Sequence, residues 1–232
     1  MSLILHIETS TATCSVALSE NGNLLGTIDR TDKNIHASSL TLFIEELLHQ
    51  SGRNIKDLDA VAVSMGPGSY TGLRIGVSTA KGLCYALDIP LIAVNTLEAM
   101  ANGFKNRCFS VNKQTLFCPM IDARRMEVYC AVFDDELNMV KGVDAVIIDE
   151  NSFKDILDTH IVYFFGDGSA KCEDVLGTHL NARVLDIYVN NAADMVNIAQ
   201  EKFDNGNFVD VAYFEPFYLK DYVAGVKKTG VS

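Results

Sequence analysis

Basic residues are scarce in this chain. Nineteen Lys and Arg stand against 30 Asp and Glu across 232 residues, a formal charge of −11. Such a surface repels phosphate backbones, so non-specific nucleic-acid binding by the chain alone is excluded as its main activity. The deficit is uneven. Residues 1–105 carry 7 bases and 10 acids (net −3), and residues 106–232 carry 12 and 20 (net −8). No apolar run reaches the roughly 18–20 residues of a membrane helix. The start, Met1-Ser2-Leu3-Ile4, lacks the basic region and apolar stretch of a signal peptide. These absences lead us to expect a cytoplasmic protein that makes no membrane contact.

Several kinds of chemistry are missing too. The six cysteines, at 14, 84, 108, 118, 130 and 172, form no CxxC pair. Most sit in apolar strings, such as Phe117-Cys118-Pro119, where a free thiol behaves as a small hydrophobe. The five histidines, at 6, 36, 49, 160 and 179, offer no close helical pair for zinc. His36 reads as structural, near a helix start. GxSxG is absent, and no Ser/His/Asp set stands out.

What is present reads as alternating strands and helices. Strands are expected at 3–9, 14–19 and 24–28, joined by the turn Ser10-Thr11-Ala12 and a hairpin at Glu20-Asn21-Gly22-Asn23. Tight turns make the three antiparallel neighbours. A helix over 37–50 buries Leu40, Phe43, Ile44, Leu47 and Leu48, with Gly52 placed to end it. Leu42 points the other way, among Ser38, Ser39, Glu45 and Glu46. Then come a strand at 58–64, a helix at 70–87, a strand at 91–94 and a helix at 96–102, a parallel crossover. The polar segment 103–113 is placed as a boundary between lobes 1–105 and 106–232. Beyond it, strands at 115–121 and 126–133 flank Asp122-Ala123-Arg124-Arg125. A buried strand at 161–165 runs into Gly166-Asp167-Gly168, and 191–203 is a last amphipathic helix. Two halves that open with antiparallel strands and continue as crossovers suggest a duplicated architecture, although no sequence repeat links them.

The glycine-rich stretch from Gly66, Gly68 and Ser69 through Gly72 to Gly76 follows a strand and opens a helix. Such starts can cradle an anion, but the G-K-[ST] of a P-loop is missing. Close packing of the turn on a neighbouring backbone is the other explanation. Glu8, Thr9 and Ser10 end the first strand; an acid there could hold Mg²⁺ through water, or simply belong to a hydrogen-bonded turn. The helix at 70–87 has a core face of Leu73, Val77, Ala80, Cys84 and Leu87. Its opposite face, Ile75, Ser78, Thr79, Gly82 and Ala86, is small and uncharged, and 68–87 contains no acid. Solvated faces usually carry charge. Either this chain covers the face or a partner does, and Leu42 on the preceding helix favours the partner. We place Leu42, Arg74, Ile75, Ser78, Thr79, Gly82 and Ala86 in that interface.

Four segments, Ile7-Glu8-Thr9-Ser10 with Ser15-Val16-Ala17-Leu18, the 66–76 loop, Ile121-Asp122-Ala123-Arg124-Arg125-Met126-Glu127-Val128-Tyr129 and Glu215-Pro216-Phe217-Tyr218-Leu219-Lys220, resemble the TsaB family, also called YeaZ. The resemblance implies an α/β fold of the actin/Hsp70/sugar-kinase (ribonuclease H-like) type in two related lobes. It implies a part in making N6-threonylcarbamoyladenosine at position 37 of tRNA. It further implies partnership with the paralogous transferase TsaD and the ATPase TsaE, a homodimer when alone, and tRNA contact only through the complex. TsaD carries H-x-E-G-H at the helix after its fifth strand, and the two histidines bind metal. The matching stretch here is Thr96-Leu97-Glu98-Ala99-Met100, and Thr and Met cannot replace two imidazoles. The expectation is therefore a non-catalytic subunit with no metal and no cofactor of its own, ATP or Mg²⁺ entering only by way of the complex. The alternative is an ATPase or phosphotransferase of the same fold, with Glu8, Thr9, Ser10, Gly66, Gly68 and Ser69 as a weak nucleotide or anion site. A peptidase has no nucleophile, base or metal to support it.

Overall fold

The computed structural model describes residues 2–31, 37–107, 114–186 and 188–220. His36, Cys108 and part of the expected boundary segment lie outside them. The chain runs β1 (Leu3–Glu8), β2 (Thr13–Glu20), β3 (Asn23–Thr31), α1 (Ala37–Gln50), β4 (Ala60–Gly66), α2 (Tyr70–Leu87), β5 (Leu91–Asn95) and α3 (Thr96–Arg107). It continues as β6 (Thr115–Asp122), β7 (Glu127–Phe133), β8 (Met139–Ile147), α4 (Lys154–Leu157), β9 (Ile161–Phe165), α5 (Glu173–Leu176), β10 (Ala182–Leu185), a 3-10 turn (Ala192–Met195) and α6 (Val196–Asp204).

The first sheet has the order β3-β2-β1-β4-β5 and the second β10-β9-β6-β7-β8. Read from its other edge, the second is the same plan: an antiparallel three-strand meander whose first strand pairs in parallel with the strand after the first crossover helix. This is the duplicated ribonuclease H-like architecture of the actin/Hsp70/sugar-kinase type. The matching regularity is topological; strand order repeats where sequence does not.

Each sheet is covered on both faces, which is why β1 and most of β6 are buried throughout. On the outer face of the first sheet, Leu5, Ile7, Val16 and Val61 pack against Leu40, Ile44 and Leu47 of α1 and Val77, Ala80 and Cys84 of α2. Its inner face, with Ile4, Ala17, Ala62 and Val94, is closed by Ala192, Met195 and Ala199, from the 3-10 turn and α6. The second sheet is closed on its inner face by Leu97, Met100, Ala101 and Phe104 of α3, against Phe117, Phe133 and Phe165. The third helix of each half therefore completes the other half's core.

That exchange explains one difference from the sequence-based expectation. The expected boundary began at Gly103, but α3 continues to Arg107, and Gly103 and Phe104 are buried. The local polarity misled because Gly103 lies where a side chain would collide with the Asp194 carboxylate, and Phe104 stacks on Phe165 with ring centroids 4.1 Å apart. The edge strands β8 and β10 and the four-residue helices α4 and α5 were not anticipated. An exposed edge strand carries no clean alternation, and a single helical turn has no period to detect.

Candidate functional site

The glycine loop packs on the first turn. A Cβ on Gly68 would meet Ser10 O at 2.4 Å, one on Gly72 would meet Thr9 O at 2.0 Å, and one on Gly76 would meet Thr9 Oγ1 at 2.3 Å. Gly66, at φ +112°, lies against Phe217 O. Several of its amides are bonded inside the junction as well. Ser69 N–H donates to Ser10 O at 2.6 Å, Gly72 N–H to the capping Ser69 Oγ at 3.3 Å, and Leu73 N–H to Ser69 O. Thr9 Oγ1 donates to Gly72 O at 2.8 Å. Glu8 and Ser10 are wholly buried beneath this loop. Glu8 Oε1 accepts Ser10 N–H at 2.6 Å and Ser64 O–H at 3.0 Å, and burial pushes its carboxyl above the usual range. Glu8, Thr9, Ser10, Gly66, Gly68 and Ser69 do converge, as a tightly bonded junction.

Above this junction lies an inter-lobe cleft of about 630 Å³. Ser10, Ser69 and Thr71 line it from the first lobe, Asp122, Arg124 and Asp167 from the second. Gly166 and Gly168 lie against the end of β6, at Met120 O and Ile121 C. The tail, residues 215–220, straps the cleft. Phe217 N–H donates to Met65 O at 2.7 Å, Tyr218 packs on Tyr70 at 4.8 Å, and Lys220 pairs with Glu127.

The Thr96–Met100 segment turns inward at the base of α3. Thr96 and Met100 are fully buried. Thr96 Oγ1 accepts Gly66 N–H at 3.2 Å, and Met100 packs in the aromatic core of the second lobe, its Cε beside Gly166. One oxygen already engaged and one thioether do not fit a transition-metal ligand set. Glu98 is half-buried and its carboxyl is raised by burial. No cluster of three or more His, Cys, Asp or Glu able to hold a metal exists among the described residues. The five described cysteines are free and buried; burial pushes Cys14 and Cys84 up to about 11, away from nucleophilic use.

The outer face of α2 stands open. Ser78, Gly82 and Ala86 are exposed, and a Cβ at Gly82 would meet nothing within 4 Å. The described part of this chain does not cover that face. Leu42 is 60% exposed on α1. Thr79 is half-buried. Ile75 departs from the expected face, because it packs against the first lobe's core. Arg74 is exposed, but its guanidinium lies over Tyr70 at 4.4 Å and bonds to Tyr218, so the tail holds it. Sequence reasoning missed Tyr85, 85% exposed on the same helix; its spacing of three from Gly82 and seven from Ser78 was the available signal. It also missed Lys81, whose amine bonds Ala212 O and Phe214 O and fixes the tail along α2. A third omission was buried Asp194, which accepts from the exposed Arg107 at 2.6 Å and from Tyr188 Oη at 2.5 Å.

Comparison with known proteins agrees with this anatomy. Residues 26–224 match the family described as TsaD, tRNA N6-adenosine threonylcarbamoyltransferase. The chain is 33% identical to tRNA threonylcarbamoyladenosine biosynthesis protein TsaB of Escherichia coli K12, over 98% of each chain. It is 28% identical to TsaB of Haemophilus influenzae, over 98% of this chain and 97% of that one. The solved structure of YeaZ from Pseudomonas aeruginosa superposes with a TM-score of 0.78 at 25% identity, covering 94% of this chain and all of that one. The chain belongs to the TsaB family of tRNA threonylcarbamoyladenosine biosynthesis proteins.

Proposed function

We propose that this protein is the non-catalytic subunit that binds and activates a TsaD-type paralogue for N6-threonylcarbamoyladenosine formation on tRNA. The observation that carries the reading is the outer face of α2: Ser78, Gly82, Tyr85 and Ala86 lie exposed on a helix that contains no acid. Small residues let a second helix approach closely, and an exposed Tyr supplies an anchor. The equivalent helices of the paralogue are the partner surface, and without it a second copy of this chain takes the place. The net charge of −11 leaves tRNA contact to the partner, and a TsaE-type ATPase joins the same complex. The inward-turned Thr96 and Met100 support the absence of transferase chemistry in this subunit.

Reconstituted tRNA modification, with and without this chain, tests the proposal. Modification should need both proteins, and a pull-down should recover the paralogue. Unchanged modification without this chain would refute it. Calorimetry with ATP separates the ATPase alternative. We expect no tight binding by the chain alone, and no zinc or iron near one per chain by elemental analysis.

A further inference from the structure

The outer face of α2 is uncharged, and acids frame it. α2 contains no acid, and its two bases are turned aside. Lys81 bonds the tail carbonyls of Ala212 and Phe214 at 3.2 and 2.9 Å, while Arg74 bonds Tyr218 and faces Glu215. On one flank lies α1, whose Leu40 borders a small cavity together with Ile75. The outer face of α1 presents Leu42 beside Glu45 and Glu46, all exposed. On the other flank lies the tail. Asp210 accepts the N–H groups of Ala212 and Tyr213, so it organises the turn that Lys81 holds. Asp210 and Glu215 are exposed there. At the C-terminal end of α2, exposed Asp88 caps the helix at φ +57°. Local stability does not account for the whole of this frame. A helix C-terminus favours a base over an acid, and neither Glu45 nor Glu46 has a Lys or Arg three or four residues along the helix.

We infer that this acidic frame selects the occupant of α2: a paralogue helix whose own flanks carry Lys and Arg is taken in preference to a second copy of this chain. The inference rests on the reading of α2 as the docking face. Two copies that pair stripe to stripe do so with the same patch on each side. Each flank then meets its counterpart or the opposite flank, and acids lie on both, so acid opposes acid whichever way the helices run. Opposite a basic flank the same carboxylates attract, speed encounter and reject the wrong partner. A partner that must also hold tRNA has its own need for surface bases. The uncharged stripe therefore supplies close approach, and the rim supplies the choice between partners. The two associations should respond to salt with opposite signs.

Binding of the full chain to the purified paralogue, and its self-association by light scattering, are measured at about 50 and 500 mM salt. Over that range paralogue binding should weaken roughly 10-fold, and self-association should tighten. The double variant Glu45→Lys/Glu46→Lys should weaken paralogue binding roughly 5- to 30-fold at low salt and tighten self-association. Glu45→Gln/Glu46→Gln should move both in the same directions by less. Both variants alter exposed helix positions and should melt within about 2 °C of the wild type. A paralogue affinity that salt and the Lys variant leave within about twofold, or a self-association that salt weakens, overturns the inference. Gly82→Arg separates that failure from failure of the docking reading. If it abolishes binding while the charge variants bind normally, the frame selects nothing but α2 remains the docking face. If it binds normally, α2 is not the docking face and the inference falls with it.

Discussion

The two lobes follow one succession, three strands, helix, strand, helix, strand, helix, yet they finish it differently. In the first, the crossover helices are long: 14 residues in α1 and 18 in α2. In the second, α4 and α5 have four residues each. Both sheets are covered, so covering a sheet does not require 14 or 18 residues of helix. The extra length in the first lobe creates an outer surface that its own core does not use. The glycine turns, by contrast, are alike: Gly166 and Gly168 press on the end of β6 as Gly68 and Gly72 press on the first turn, and both turns border the cleft. A duplicated scaffold here carries one lobe specialised for contact outward and one that closes the interior.

The comparison can be broken most severely at the sealed junction. Gly72→Ala places a methyl group on Thr9 O and should cost about 4 kcal/mol, read as a lowered denaturation midpoint. Gly142→Ala, on β8 of the second lobe with open space around it, should change stability by less than about 0.5 kcal/mol. Equal losses at the two positions would show that close approach to Thr9 O is not what fixes Gly72.

The outward role of α2 is sharpened by Gly82→Arg. The mutant should melt normally, since nothing lies within 4 Å of the new Cβ. It should lose about 2–4 kcal/mol of paralogue binding, roughly 30- to 1,000-fold in affinity. Normal melting with normal binding and full tRNA modification would place the partner elsewhere.

A slightly smaller effect is expected where α3 and the 3-10 turn before α6 meet. Burial pushes the Asp194 carboxyl up to about 6, from 3.8, against the opposing pull of Tyr188 and Arg107. The folded state therefore holds a proton longer than the unfolded chain does. Stability is greatest below about pH 4 and falls as pH rises towards 6, by just under about 3 kcal/mol. Asp194→Asn should flatten that part of the stability–pH profile; an unchanged slope would show that Arg107 keeps the carboxylate charged. The smallest effect belongs to the strap. In the Lys220–Glu127 pair the Lys side is exposed and Glu127 half-buried, so Lys220→Ala should cost about 1 kcal/mol in a melting experiment.

Much of the first lobe was legible because its elements are long and periodic. Leu40, Ile44 and Leu47 repeat at helical spacing, and they are the residues found buried. The second lobe was less legible. β8 lies at an edge, and α4 and α5 are single turns. At the candidate site, Glu8 and the glycines could be named from sequence as a group worth inspecting, whereas their role could not. A glycine required for close approach and one required to cradle an anion look alike until the opposing atom is known. Here that atom is the Thr9 or Ser10 carbonyl oxygen.

The sequence by itself determined the class of fold, the acidic composition, the family resemblance and the Thr and Met at positions 96 and 100. Each depends on residue identity or local periodicity, which the chain carries without reference to what it packs against. Tertiary structure alone decided that α3 and α6 exchange partners between lobes, that Ile75 belongs to the core while Tyr85 stands out, and that the tail holds Arg74. It also decided that Glu8 sits in a sealed site. These are pairings between residues as far apart as Ser15 and Ala192, whose N–H donates to the Ser15 hydroxyl. No local pattern encodes them, because the energy of a buried group depends on which distant donor, or which absence of one, it meets when the chain closes.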